Sequence, residues 1–218
     1  MSMHDLFDQA ALEAIKKAAA AAEERTSGEV VTYVVERSHT YPAATLRGAL
    51  LGMALGLLTS LAALELRAPW GQAQALNIAL VSFGTAMLGA VAVRAIPALH
   101  RALAGTAAIE QQVARRAAQA FIEEEVFDTR ERTGMLLFIS RFERRVMVLG
   151  DAGINAKVRP GQWQEIVARV AAGIRARRPA EAVIEGIGAL GALLETAGVT
   201  RREDDVDELA NDVRLRDA

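Results

Sequence analysis

The sequence predicts an α/β fold in which one small sheet, covered by helices, is interrupted by a two-helix transmembrane hairpin. Three observations predict it. Two long apolar segments lie near the middle of the chain, strand patterns rich in β-branched residues lie on both sides of them, and helical patterns flank those strands. A length of 218 residues suits one domain of ordinary size together with a membrane element.

Composition excludes several classes of function. Hydrophobic residues make up 52% of the chain and charged residues 24%, which is consistent with apolar residues concentrated in a few segments. The net charge of −2 and the lack of a nucleic-acid-binding motif argue against a nucleic-acid partner. Cysteine is absent, which excludes disulfides and thiol catalysis. The first eight residues carry two acids and no apolar run, so they do not resemble a secretory signal peptide.

Before the apolar segments, the pattern predicts one helix and one strand. Residues 3–26 have apolar residues at helical spacing, with charged residues outside the stripe. Residues 29–36 (EVVTYVVE) are β-branched and aromatic, and their nearly continuous apolarity indicates a strand that is buried on both faces.

After the apolar segments, the pattern predicts three helices and two strands. Residues 107–126 have helical spacing, and Pro160 and Pro179 each begin another helix at a first-turn position. Residues 134–140 and 145–149 are strands joined by a short turn. Residues 199–218 are rich in acids and arginines, so we expect a disordered tail or a loosely attached helix.

The strand before the apolar segments needs partners that lie after them. An isolated strand 29–36 would leave its backbone groups unpaired. We therefore expect residues 1–45 and 105–198 to form one discontinuous domain, with the hairpin at 46–94 inserted into it.

The two apolar segments predict membrane spans. The 17 residues from Gly48 to Leu64 and the 26 from Ala68 to Val93 carry no charge. Helices at about 46–66 and 75–93 would each reach roughly 30 Å, the thickness of a hydrocarbon core. Residues 65–72, which include Pro69 and Trp70, predict a turn at the interface. The alternative is a helical hairpin buried in a soluble core, which a chain of this length would struggle to cover.

The positions of the arginines predict the orientation of the hairpin. Six arginines lie just outside the spans on the side of both termini, against Arg67 alone in the turn; the six are Arg37, Arg47, Arg94, Arg101, Arg115 and Arg116. Because cytoplasmic flanks carry the excess of positive charge, we expect both termini and the α/β domain to be cytoplasmic, with the hairpin in the inner membrane. The bilayer is then the first partner of the chain.

Small residues recur along both spans. Gly48, Gly52 and Gly56 form a doubled GxxxG ridge, and Ser82, Ala86 and Ala90 repeat small residues at the same spacing. Such ridges allow close helix packing in lipid. Packing within the hairpin and homodimerisation through the glycines are both open at this point.

The order of the soluble elements resembles a known family. Thr-Ser-Gly-Glu29, then VVTYVV, GMLLFIS, RRVMVLGDAGI and a helix that carries Trp163 are similar to the TPM domain, also called the thylakoid lumen acid phosphatase or photosystem II repair type domain. The resemblance covers residues 3–45 and roughly 107–196. The chain is more closely similar to the bacterial membrane proteins of this family that have a hairpin in mid-domain, and the resemblance implies a small mixed sheet in a three-layer arrangement.

The resemblance also implies a chemistry from which this chain departs. Some family members have acid phosphatase activity and bind calcium through acidic loop residues, so calcium or magnesium is an implied cofactor. The family typically has Asp-Asn-Gly before the strand that here begins at Gly134, whereas this chain has Arg132-Thr133-Gly134. An acid does remain in the later loop, as Asp151. The replacement leads us to expect no cofactor.

The candidate site residues are those expected in loops at the ends of the strands. Asp128 and Asp151 are candidates for catalysis or metal binding, and His39 and Glu29 for catalysis. A cluster of the remaining candidates would bind a charged group; these are Arg130, Arg132 and Thr133. The alternative is that the loop charges are solvated and that Asp151 caps a turn.

Two functions of different classes follow. One is a membrane-anchored binding or scaffolding module for a protein partner, and the other is a metal-assisted phosphoesterase. The loss of Asp-Asn-Gly favours the binding module.

Overall fold

The computed structural model describes residues 7–66, 74–201, 204 and 208–217. Eight helices and four strands occur in this part of the chain, in the order α1 (Gln9–Glu23), β1 (Glu29–Val35), α2 (Pro42–Leu66), α3 (Gln74–Ala95), α4 (Pro97–Ala104), α5 (Thr106–Glu123), β2 (Gly134–Ser140), β3 (Arg145–Gly150), α6 (Ala152–Asn155), α7 (Pro160–Arg175), α8 (Pro179–Thr196) and β4 (Arg214–Arg216).

The described residues divide into two compact units. The sheet unit comprises those up to Ser38 and those from Gln112 onward, and the hairpin unit comprises His39–Gln111. The boundaries expected from the sequence, at residues 45 and 105, stay a prediction. The turn expected at residues 65–72 lies almost wholly outside the described residues.

The sheet has the order β3-β2-β1-β4. β1 pairs in parallel with β2, from Glu29 opposite Gly134 to Val35 opposite Ser140. β2 pairs antiparallel with β3 as a hairpin. The prediction that strand 29–36 finds its neighbours beyond residue 130 is therefore confirmed, and so is the α/β fold class with a mixed sheet.

Helices cover both faces of the sheet, in three layers. On one face, α1, α7 and α8 contribute apolar side chains to the core, and β1 and β2 present Val30, Val34, Met135 and Leu137 to them. On the other face, Arg116 of α5 donates a hydrogen bond to the hydroxyl of Tyr33 at 2.5 Å. Every residue of β1 and β2 is buried, because each strand lies between two helical layers.

The prediction of a disordered tail is wrong for residues 214–216. These residues form β4, which pairs in parallel with β1 at Tyr33, Val34 and Val35. Glu124 forms ion pairs with Arg214 at 2.9 Å and with Arg216 at 3.2 Å. The charges that suggested a solvated segment are satisfied by partners distant in sequence, so composition alone was misleading here.

In the hairpin unit, α2 and α3 pack against each other through glycines. A Cβ on Gly52 would lie 2.2 Å from the carbonyl oxygen of Thr85, and one on Gly89 would lie 2.2 Å from that of Gly48. A Cβ on Gly56 would lie 2.9 Å from the Cα of Ser82. The glycine ridge therefore packs within the hairpin, and its glycines could contact a second copy only if α3 were displaced. Homodimerisation itself stays untested.

The outward faces of α2 and α3 are apolar. Both helices are long and apolar enough to cross a membrane, and only 17% and 11% of their most apolar windows are buried. Large side chains such as Leu58 and Phe83 are 64% and 69% exposed. These two candidate membrane-spanning helices indicate membrane association.

The short helix α4 follows α3 and was not predicted. His100 of α4 is buried, and its Nε2 lies 3.4 Å from the carbonyl oxygen of Tyr41. The guanidinium group of Arg47 donates to the carbonyl oxygens of Leu103 and Ala104, at 2.5 and 3.2 Å. Arg47, expected only as a topology signal, thus satisfies the carboxyl end of α4.

Candidate functional site

Most of the predicted site residues meet at one edge of the sheet. β1 and β2 begin at this edge and β3 ends there, because Glu29 lies opposite Gly134 and Met135 lies opposite Gly150. The loop before β2 and the loop after β3 therefore converge. We call this end of the sheet, where β1 and β2 begin, the N-terminal edge.

A bidentate ion pair joins the two loops. Nε of Arg132 lies 2.6 Å from Oδ2 of Asp151, and its terminal nitrogen donates to Oδ1 at 3.2 Å. The Asp151 side chain is 7% exposed, and its Oδ1 also accepts from the backbone N–H of Ala152 at 2.7 Å, as the N-cap of α6. Oδ1 accepts both hydrogen bonds, whereas Oδ2 is buried and lies within ion-pair distance of Nε without a hydrogen-bond partner. The hydrogen bond from the guanidinium group is charge-assisted, a class that is stronger than hydrogen bonds between neutral groups.

Two glycines allow close backbone approaches here, Gly134 within the loop before β2 and Gly153 between the two loops. A Cβ on Gly134 would lie 1.7 Å from the carbonyl oxygen of Val126, and one on Gly153 would lie 2.3 Å from that of Glu131. Arg132 has a positive φ of 58°, an unusual conformation for a residue with a side chain. The close backbone contacts hold Arg132 in this conformation, in which its guanidinium group reaches Asp151.

Thr133 has a structural role at this edge. Its backbone N–H donates to Oγ1 of Thr129 at 2.9 Å, and its own hydroxyl donates to the carbonyl oxygen of Ser27 at 2.6 Å. The Thr133 side chain is buried. It connects the loop before β1 to the loop before β2, so its hydroxyl already has a backbone partner.

Glu29 and Arg130 contact the C-terminal part of the chain. The carboxylate of Glu29 accepts from the backbone N–H groups of Glu208 and Leu209, at 3.1 and 3.4 Å. Arg130 donates to Asp204 at 2.9 Å through its side chain and to Glu208 at 2.9 Å through its backbone. The hydrogen bond to Asp204 raises the pKa of Arg130. The predicted binding residue Arg130 is thus engaged by acids of the same chain.

Asp128 and His39 do not join this cluster. Asp128 is exposed, and its backbone N–H donates to the carbonyl oxygen of Glu125 in the turn after α5. His39 belongs to the hairpin unit, where its Nδ1 accepts from the backbone N–H of Tyr41 at 3.0 Å. Their catalytic roles stay predictions without a supporting contact.

The residues at this edge do not fit a calcium or magnesium ion. Calcium takes six to eight oxygen ligands, and magnesium takes six in a strict octahedron. Among the residues that the structure describes, no three or more His, Asp or Glu side chains are grouped in a way that could hold a metal. The remaining acid of the loop, Asp151, forms an ion pair with Arg132, and its Oδ1 also accepts from the backbone N–H of Ala152.

A buried carboxylate that the sequence did not single out lies at the opposite edge. Glu143 is 2% exposed and accepts from the hydroxyl of Ser140 and, at 3.0 Å, from the backbone N–H of Ser38. The hydroxyl groups of Ser38 and Ser140 are 2.8 Å apart. This network ties the β2–β3 turn to the end of β1. The signal in the sequence would have been an acid within an arginine-rich turn.

Comparison with known proteins establishes the family. A family model described as the TPM domain matches residues 71–193, which is more than half of the chain. The matched range includes β2, β3, Arg132 and Asp151. The chain belongs to the TPM domain family, as the resemblance in the sequence suggested.

A solved structure shares the fold. The NMR structure of the BA42 protein from the psychrophilic bacterium Bizionia argentinensis matches with a TM-score of 0.59 and 15% sequence identity, over 98% of each chain. At this identity the likeness concerns the fold alone. No curated protein matches the chain.

Proposed function

We propose that this protein is a membrane-anchored TPM domain that acts as a binding or scaffolding module for a membrane-associated protein partner. The observation that carries the proposal is the ion pair between Arg132 and Asp151. Arg132 stands where the family typically has an acid, and its guanidinium group forms an ion pair with the acid that remains. A metal-assisted phosphoesterase needs acids that hold the metal, and Asp151, the acid that remains in this loop, is instead paired with a cation.

The anchor in this proposal is the hairpin of α2 and α3. Its exposed apolar side chains suit lipid, and the flanking arginines favour a cytoplasmic sheet unit at the inner membrane. Among the described residues of α2 and α3, none that lies at mid-depth is ionisable, which suits an anchor rather than an ion pathway.

The alternative function is hydrolysis of a phosphate ester, and an assay separates the two. Purified full-length protein in detergent is incubated with p-nitrophenyl phosphate and calcium or magnesium, from acid to neutral pH. We expect no turnover above the buffer background, because the Asp151 carboxylate is bound to Arg132.

Asp151→Ala and Asp128→Ala provide the matched variants for this assay. Metal-dependent turnover that disappears in Asp151→Ala would overturn the binding-module proposal. Equal turnover in the wild type and both variants would indicate a contaminating phosphatase. After removal of that contaminant, we expect the wild-type protein to show no turnover.

A further inference from the structure

The C-terminal segment, residues 208–217, lies along the outer edge of β1. It begins beside Glu29, whose carboxylate accepts from the N–H groups of Glu208 and Leu209. It ends as β4, which pairs with residues 33–35, and the N–H of Glu36 donates to the carbonyl oxygen of Arg216 at 3.1 Å. The segment therefore runs parallel to β1 along its length.

Charged side chains from other parts of the chain contact this region at successive positions along β1. At the start of β1, the guanidinium group of Arg130 contacts Asp204, which precedes the segment, and the backbone N–H of Arg130 contacts Glu208. Lys16 of α1 forms an ion pair with Asp212 at 2.7 Å. At the end of β1, Glu124 binds Arg214 and Arg216. We call the outer edge of β1, with Lys16, Glu29, Glu124 and Arg130, the β1 groove.

Addition of an extended segment to a sheet edge is a common mode of peptide recognition. Main-chain hydrogen bonds supply affinity, and contacts to alternate side chains supply specificity. Here Val213 and Leu215 pack against the core, whereas the arginines on either side of Leu215 reach Glu124. The C-terminal segment thus contacts the edge of β1 in the way that a peptide ligand would, although it belongs to the same chain.

The contacts of the segment differ in burial. β4 pairs with β1 over three residues only. The side chains of Lys16 and Asp212 are 46% and 65% exposed, and such exposed ion pairs contribute about 0–1 kcal/mol each. Arg214 and Glu124 are only 15% and 14% exposed, so their ion pair is the better protected contact. A competing segment must therefore supply the same contact to Glu124 in order to displace it.

We infer that the β1 groove is the partner-binding surface of the module, and that the C-terminal segment occupies it as an intramolecular competitor. The partner is a protein that presents an extended segment with an acid two residues before an Arg-aliphatic-Arg strand. This order of charges complements Lys16, which pairs with Asp212, and Glu124, which pairs with both arginines. The inference rests on the proposed function and names the surface and the class of partner.

The test uses the full-length protein in detergent and a fluorescein-labelled peptide with the sequence of residues 208–217, ELANDVRLRD. Binding is measured by fluorescence anisotropy. A tethered segment has an effective concentration in the millimolar range, so the wild-type chain should bind the peptide weakly. The Arg214→Glu/Arg216→Glu chain should bind it at least tenfold more tightly, because its own segment is repelled by Glu124 while the groove is unchanged.

A charge exchange tests the groove itself. The Glu124→Arg protein should bind the peptide at least tenfold more weakly than the Arg214→Glu/Arg216→Glu chain does. A second peptide, in which both arginines are replaced by glutamate, should bind to the Glu124→Arg protein instead. Asp212→Lys provides a second variant that loosens the segment at a different contact, beside Lys16. Circular dichroism verifies that each variant is folded.

Three results would overturn the inference. The first is a loosened chain that binds the peptide no better than the wild type, and the second is equal binding of a scrambled peptide. The third is concentration-dependent dimerisation of the wild type that requires residues 208–217, which would make a second copy the occupant. The phosphatase assay reports separately on the proposed function, so a failure of peptide binding without turnover would reject only the groove.

Discussion

Replacing Gly134 by alanine is expected to destabilise the sheet unit by about 3 kcal/mol, at the upper end of the usual cost of overpacking. The added Cβ would lie 1.7 Å from the carbonyl oxygen of Val126, and the neighbouring atom is backbone rather than a flexible side chain. Relief of this clash must move the loop that carries Arg132, and with it the contact to Asp151. Urea unfolding in detergent, followed by circular dichroism, measures the change.

Gly188→Ala is the matched control for this prediction. A Cβ on Gly188 would have no atom within 4 Å, and Gly188 lies inside α8, where alanine favours the helix. The control should therefore be neutral or slightly more stable than the wild type. A Gly134→Ala protein as stable as the wild type would show that the loop does not approach β2 as described.

Replacing Gly52 by leucine is expected to separate α2 from α3, at a cost of roughly 2–3 kcal/mol. A Cβ on Gly52 would already lie 2.2 Å from the carbonyl oxygen of Thr85 and 3.2 Å from the Cα of Ala86. Helices in lipid associate through close packing, so loss of that approach removes the main attraction between them. The midpoint of unfolding in a titration with sodium dodecyl sulfate should fall.

Gly84→Leu is the control for the hairpin. A Cβ on Gly84 of α3 would meet no atom within 4 Å, so leucine there should leave the midpoint nearly unchanged. The same pair of variants separates the two uses of the glycine ridge. A change of molecular mass in Gly52→Leu, without a change in the unfolding midpoint, would favour homodimerisation over packing within the hairpin.

The sequence was most informative where periodicity and burial coincide. The strands at residues 29–36, 134–140 and 145–149 and the helices that begin at Pro160 and Pro179 match β1, β2, β3, α7 and α8 closely. Two elements were not found because they carry little pattern of their own. α6 has four residues, and α4 follows directly after the apolar α3, separated from it by Ile96 alone.

β4 shows a different limit of sequence analysis. Its three residues, Arg-Leu-Arg, lie in a segment whose acids and arginines are typical of disorder. The strand forms because β1 offers an edge and Glu124 offers a counter-charge, and both belong to distant parts of the sequence. Tertiary context, rather than local propensity, decides such an element.

The candidate site was predicted in its members but not in its contacts. The convergence of Glu29, Arg132, Thr133 and Asp151 follows from the parallel pairing of β1 and β2 together with the β2–β3 hairpin. The ion pair between Arg132 and Asp151 depends on a positive φ at Arg132 and on two close backbone approaches. Neither can be deduced from residue types, so Arg132 and Asp151 were treated as separate candidates.

The central claim is that one sheet is assembled from both sides of a hairpin that crosses the membrane, and carbonate extraction tests the membrane part most directly. Membranes from cells that express the full-length chain are washed with alkaline sodium carbonate, which releases peripheral proteins. We expect the chain to remain in the membrane pellet, because α2 and α3 expose apolar side chains along their length. Recovery of the chain in the supernatant would contradict the account.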